Sequence, residues 1–329
     1  MRNHGTLILL FLIILSFSFT LAMCDNRLEE VSTFAVYYGD DEVDKLALFD
    51  LAILSPMISG EAVEKLNSHN VVTVGYISIA TIGGWEPWAN LVSKDMVVGE
   101  NPTWGEKIVN ACSSKWLNII VYNAIPYVLN KGFKGVFLDN LDVIDEYPYM
   151  KSSIVEIIRR IREANPNIVI IVNRGFSISK EIAPYIDAIL FEDFGTHYDF
   201  SKNKYLKWTG SDYEWMVNTS KFLKRLSEEF KIKILALGYA DLNNETMLKE
   251  YCEYVYSLAL KYGFIPYVTN IHLNRVNTKY LPPLRTSTIT SSRSLVMDNT
   301  YEYSTLTIPV ILTIAVIVVV IVLIKIGKK

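Results

Sequence analysis

Apolar residues along this chain gather into short continuous runs, and the runs recur with helix-like stretches between them. They occupy 34–38, 51–54, 71–77, 135–138, 168–172, 188–191, 233–237 and 264–268, and several are β-branched almost throughout. A strand with one solvated face alternates apolar and polar residues, whereas one covered on both faces by core and helices has no need to. Between the runs the polar positions return at helical spacing. Ile154, Ile157, Ile158 and Ile161 fall opposite Glu156, Arg159, Arg160 and Arg162, and Ala62, Val63 and Leu66 share one face of 59–68. Further helices are predicted over 117–130, 179–184, 212–229 and 245–262, with Gly132 and Gly263 placed to close two of them. Eight parallel strands joined by right-handed helical crossovers close into a (β/α)8 TIM barrel, with an open doubly wound sheet as the alternative.

The two ends of the chain read differently. Residues 1–24 combine Arg2 with an apolar stretch over 6–22, the order of a signal peptide. Residues 306–324 carry no charge, and at ~1.5 Å per residue a helix of that length covers a bilayer core of roughly 30 Å. Lys325, Lys328 and Lys329 follow and predict a cytoplasmic tail over 325–329. The Ser/Thr-rich stretch 284–305 has too little apolar surface to offset its ordering entropy and reads as a stalk. The expectation is a single-pass protein of the cell membrane, tethered by its C-terminal helix, with a barrel domain over 25–283 on the extracellular side.

Charge narrows the chemistry. With 35 acidic residues against 32 basic ones and a net charge of −3, the chain offers no basic field for phosphates, so no nucleic-acid partner is expected. Cys24, Cys112 and Cys252 lack metal-ligand spacing, although a Cys112–Cys252 bridge stays open, and His69, His197 and His272 form no His-x-x-x-His pair. No metal and no cofactor is therefore expected. The first strand is followed by Tyr37-Tyr38-Gly39-Asp40-Asp41 and not by a Gly-x-Gly-x-x-Gly cradle, and Ser78 has no Gly-x-Ser-x-Gly setting.

Barrel enzymes take their working groups from the carboxyl ends of the strands, where side chains share one mouth. Here those ends offer Tyr38 and Asp40, Tyr76, Asp139 and Asp142, Asn173, Glu192, and Tyr239, with Trp208 following the sixth strand. Strands four and six each run from apolar residues into a carboxylate, Asp139 and Glu192, and only one strand separates them. A pair of carboxyls facing one another suits glycoside hydrolysis, one protonating the leaving oxygen and the other attacking the sugar carbon or activating water. Glu192, between Phe191 and Phe194, has the more apolar surroundings, which raise a carboxyl pKa. It is expected as the general acid and Asp139 as the nucleophile or base, with the reverse assignment open. Tyr38, Asp40, Tyr76, Asp142, Asn173, Trp208 and Tyr239 are expected to bind substrate, aromatic faces lying against pyranose C–H surfaces.

With these residues named, the chain resembles the TIM-barrel glycoside hydrolases related to endo-α-1,4-polygalactosaminidase. The likeness rests on Tyr37-Tyr38-Gly39, on Val74-Gly75-Tyr76-Ile77-Ser78, on the segment from Gly132 through Asp139 to Asp142, on Glu192, and on Leu237-Gly238-Tyr239. The resemblance implies an endo-acting hydrolase of an amino-sugar-containing extracellular or cell-surface polysaccharide, with Asp139 and Glu192 as its catalytic pair. A non-catalytic carbohydrate-binding or structural envelope protein would keep the same aromatics and need no acid–base pair.

Overall fold

In the computed structural model, which describes residues 27–280, eight strands form one parallel sheet in chain order. They are β1 (Phe34–Tyr37), β2 (Leu51–Leu54), β3 (Val72–Ser78), β4 (Gly135–Asp139), β5 (Val169–Asn173), β6 (Ala188–Glu192), β7 (Lys233–Tyr239) and β8 (Ile265–Thr269). Strands β1, β2, β5 and β8 are buried at every position. That is why their sequences do not alternate. β8 returns to lie against β1, and Tyr38 N donates to Leu273 O at 2.7 Å across the seam. The architecture is a (β/α)8-like barrel.

The helices follow the predicted faces. Lys151–Ala164 buries Ile154, Ile157, Ile158 and Ile161, and Gly60–Ser68 starts where the Ser59 side chain accepts from Ala62 N. Glu245–Tyr262 is capped by Asn244 and ends at Gly263, whose φ of 76° is readily adopted only without a Cβ. The helix predicted over 117–130 begins earlier, at Ser114, and widens into a π turn over Ile120–Ala124 before continuing as Ile125–Asn130. Pro126 has no N–H to give to the preceding turn. Between β1 and β2 a 3-10 turn, Val43–Leu48, replaces a helix, and the helix predicted over 179–184 is split into short turns around Ser179–Ile182. At the far end of the barrel Asp187 holds Arg27 at 2.8 Å and Arg162 at 2.6 Å and accepts from Ile170 N, so its buried charge is paired. Cys112 and Cys252 are both free.

Two insertions at the carboxyl ends were not foreseen. After β3 comes a three-stranded antiparallel flap built from Thr81–Ile82, Val97–Glu100 and Lys107–Val109, and after β6 a hairpin of Thr196–Asp199 with Lys204–Lys207.

The expectation of a signal segment, membrane span and outward-facing domain is corrected. No helix among the described residues is long and apolar enough to cross a membrane. The segments 1–24, 284–305, 306–324 and 325–329, on which the signal, stalk, span and tail rested, lie outside the described residues. Nothing in the described structure supports a membrane partner or a single-pass, cell-membrane location.

Candidate active site

The carboxyl ends of the strands surround a cavity of about 580 Å³, a size typical of ligand sites. Seven of the nine expected residues line it: Tyr38, Tyr76, Asp139, Asp142, Asn173, Glu192 and Tyr239. Asp40 and Trp208 do not. β1 ends at Tyr37, whose hydroxyl is tied to Asp41 and to the Glu42 N–H, and Asp40 is left exposed in the turn that leads away. Trp208 stacks on His197 at 3.6 Å between ring centroids and donates through Nε1 to Asp193 O, bracing the hairpin from behind. Of the six tryptophans, Trp85 and Trp104 reach the cavity, while Trp116 is buried with Nε1 donating to Ile79 O.

Asp139 and Glu192 are the last residues of β4 and β6, and Asn173 ends β5 between them. The Asn173 amide donates from a single nitrogen, Nδ2, to Asp139 Oδ1 at 2.8 Å and to Glu192 Oε2 at 2.7 Å. The two accepting oxygens therefore lie no more than 5.5 Å apart, the sum of those lengths. Asp139 Oδ1 also accepts from Asn140 N at 2.7 Å, and Asn140 Nδ2 lies 3.5 Å from the Tyr76 hydroxyl. Glu192 Oε1 accepts from the Tyr239 hydroxyl at 2.5 Å. Every one of these partners is rooted in the barrel sheet or in the residue directly after a strand, so packing fixes the constellation.

The residue after each of the three is left-handed: Asn140 at φ 62°, Arg174 at 54° and Asp193 at 59°. Asn and Asp tolerate that region, whereas Arg174 pays about 1 kcal/mol for it. Three successive strands thus end in the same turn, immediately beyond the side chains that face one another. Nothing in the residue types announced it.

Electrostatics reflect the crowding. Burial first, and then the charge of Glu192, push Asp139 up to about 6 and Asp193 up to about 7. Asp142 is raised by burial, with Arg174, 4.0 Å away, pulling the other way. Burial and the nearby carboxylates hold Tyr38, Tyr76 and Tyr239 well above the usual phenol value, so they remain neutral donors. Counting Glu106 from the flap, five carboxyl groups line the cavity against one guanidinium, that of Arg174. Glu106, Tyr198 and Phe200 escaped the sequence reading, because they sit on the two insertions and on no barrel strand.

Residues 24–281 match glycoside-hydrolase family GH114. An uncharacterised protein of Thermotoga maritima is 23% identical over 245 residues, which cover 67% of this chain and 72% of that one. Among solved structures, the glycoside hydrolase domain of PelA from Pseudomonas aeruginosa superposes with a TM-score of 0.65 at 17% identity, covering 75% of this chain and 97% of that domain. The complex of Aspergillus fumigatus Ega3 with galactosamine gives a TM-score of 0.55 at 16% identity, covering 74% and 91%. At these identities the two structures speak for the barrel fold alone.

Proposed function

The chain belongs to glycoside-hydrolase family GH114, and we propose that it hydrolyses a polymer of amino sugars with free amines, retaining the configuration at the anomeric carbon. The observation that carries this reading is the single amide nitrogen joining Asp139 to Glu192. Retaining enzymes hold their two carboxyls about 5 to 5.5 Å apart, whereas inverting ones leave roughly 6.5 to 9.5 Å for a water. An upper limit of 5.5 Å favours direct attack.

In this mechanism the Asp139 carboxylate attacks the anomeric carbon while Glu192 gives its proton to the departing glycosidic oxygen. Water then attacks the covalent glycosyl ester, Glu192 takes the proton from it, and Asp139 leaves as carboxylate. Two donors, one of them a backbone N–H, hold Asp139 in place for attack. Glu192 has one more rotatable bond, suited to following the proton. The excess of carboxyls over the lone Arg174 favours a cationic chain, and galactosamine, the ligand in the Ega3 structure, is the sugar we assign. Proton NMR of the first reducing ends released from a de-N-acetylated galactosamine polymer tests the reading. The α anomer is expected to appear first from an α-linked chain. Initial release of the β anomer would remove the nucleophile from the scheme, and cleavage restricted to N-acetylated chains would remove the substrate.

The pH dependence separates the two roles. Burial and the charge of Glu192 raise Asp139 to about 6, so the two carboxyls titrate as a pair, and attack needs the form in which Asp139 has lost its proton and Glu192 keeps one. With Asp139 as nucleophile, kcat/KM, which reports the free enzyme, rises with pH through about 6. Were Asp139 the proton donor, the same group would produce a fall there.

A further inference from the structure

Trp104, in the turn of the flap, and Phe200, at the tip of the hairpin, are 58% and 53% exposed, yet both line the cavity that contains the carboxyl pair. Their rings meet edge to face, centroids 5.7 Å apart and planes at 90°. The flap springs from the end of β3 and the hairpin from the end of β6, and β4 and β5 lie between those strands in the sheet. The contact therefore spans the stretch of barrel mouth where Asp139, Asn173 and Glu192 stand.

Both roots are firmly held. On the flap side, Thr81 donates to Glu106 at 2.6 Å and accepts from Asn140 Nδ2 at 3.1 Å, which ties the insertion to the residue after Asp139. On the hairpin side, Trp208 is fixed to Asp193 O, Phe200 packs on Tyr198 and Tyr198 on Tyr205, and the Tyr205 hydroxyl accepts from Ile271 N beyond β8. Between the tips there is only ring contact, for among the described residues no hydrogen bond or ion pair joins them. The ring contact is thus the weakest link of the span.

We propose that Trp104 and Phe200 determine where on a polymer this enzyme cuts. Closed, the span turns the groove into a covered passage that admits a free chain end. Parted, it admits the interior of a chain, which then runs between two aromatic faces able to lie against sugar C–H surfaces. The inference rests on the hydrolytic reading above, and the following experiment keeps the two apart.

In a background with Cys24→Ser and Cys112→Ser, the pair Trp104→Cys and Phe200→Cys is joined by a bis-maleimide whose linker contains a reducible disulfide. The same protein is then assayed unlinked, linked and released. Hydrolysis of a short aryl oligosaccharide is expected to stay within about twofold in all three states. Viscosity loss of a de-N-acetylated galactosamine polymer, which reports interior cuts, is expected to fall at least tenfold on linking and to return on release. Equal viscosity loss in all states overturns the span, and so does loss of the short substrate together with the polymer. Retention in a gel containing the polymer is read in parallel and needs no turnover. If nothing is cleaved but retention is lost on linking and regained on release, the span stands and the hydrolytic reading falls, while unchanged retention sinks the span. Should the linked pair fail to fold, Phe200→Ser opens the span without chemistry. It is expected to raise the ratio of interior cuts to total reducing ends about threefold, and an unchanged ratio counts against the proposal.

Discussion

Glu192→Gln is expected to lower kcat on the amino-sugar polymer by about 10³-fold or more while leaving the fold intact. A positioned proton donor contributes roughly 10²–10⁴-fold, and the amide keeps the shape of the side chain and an oxygen to accept from Tyr239 or Asn173 but carries no proton to give. Asp139→Asn should be at least as damaging, because it removes the attacking oxygen itself. The two losses will not multiply, since the residues act as one unit. An aryl glycoside with a strongly acidic phenol separates the roles, because such a leaving group departs without protonation. The first step should recover in Glu192→Gln, seen as a burst of phenol, and should not recover in Asp139→Asn. Circular dichroism and the melting temperature of each variant establish that the fold survives. If either variant keeps more than a tenth of wild-type turnover, that carboxyl is not doing the chemistry assigned to it.

The reason these two residues were readable from sequence is itself physical. A barrel strand is buried on both faces, so a carboxylate can enter the run only where burial ends, and Asp139 and Glu192 mark that point on β4 and β6. All eight strands appear within one or two residues of the predicted runs for the same reason. What the pattern could not carry is anything set by a few residues or by space. The hairpin strands Thr196–Asp199 and Lys204–Lys207 are four residues each and only partly buried, so no periodicity announces them. Distance along the chain puts Asp40 at the mouth, but β1 ends earlier and the turn carries it outward. The place of Trp208 after the sixth strand suggests a sugar contact, whereas its ring packs on His197. Asn173 was legible as a strand-end residue; that its one nitrogen reaches both carboxyls depends on how closely β4, β5 and β6 sit, which only the folded barrel supplies. The apolar stretch over 306–324 shows the opposite limit, hydropathy that speaks of a segment outside the described fold.

Gly135→Ala is expected to damage the fold more than any other single methyl added to the barrel strands. Gly135 opens β4 and sits opposite Val169 of β5, and an added Cβ would lie 2.7 Å from the Val169 carbonyl carbon and closer still to its oxygen. A flexible side chain could swing aside, but this neighbour is backbone inside a hydrogen-bonded ladder. Relief requires β4 and β5 to separate, and these strands carry Asp139 and Asn173 at their other ends. Overpacking of this kind costs on the order of 3 kcal/mol or more. For a domain of this size that corresponds to a fall of roughly 6 to 12 °C in Tm. Gly60→Ala is the matched control, since a Cβ there finds its nearest neighbour at 3.8 Å and sits in the first turn of a helix, so its Tm should be unchanged or slightly raised. Measured side by side by thermal unfolding, a Gly135→Ala protein that melts with the control would mean that β4 and β5 do not pair in this register. The amide bridge between the two carboxyls would then lose its footing as well, because it depends on that same register.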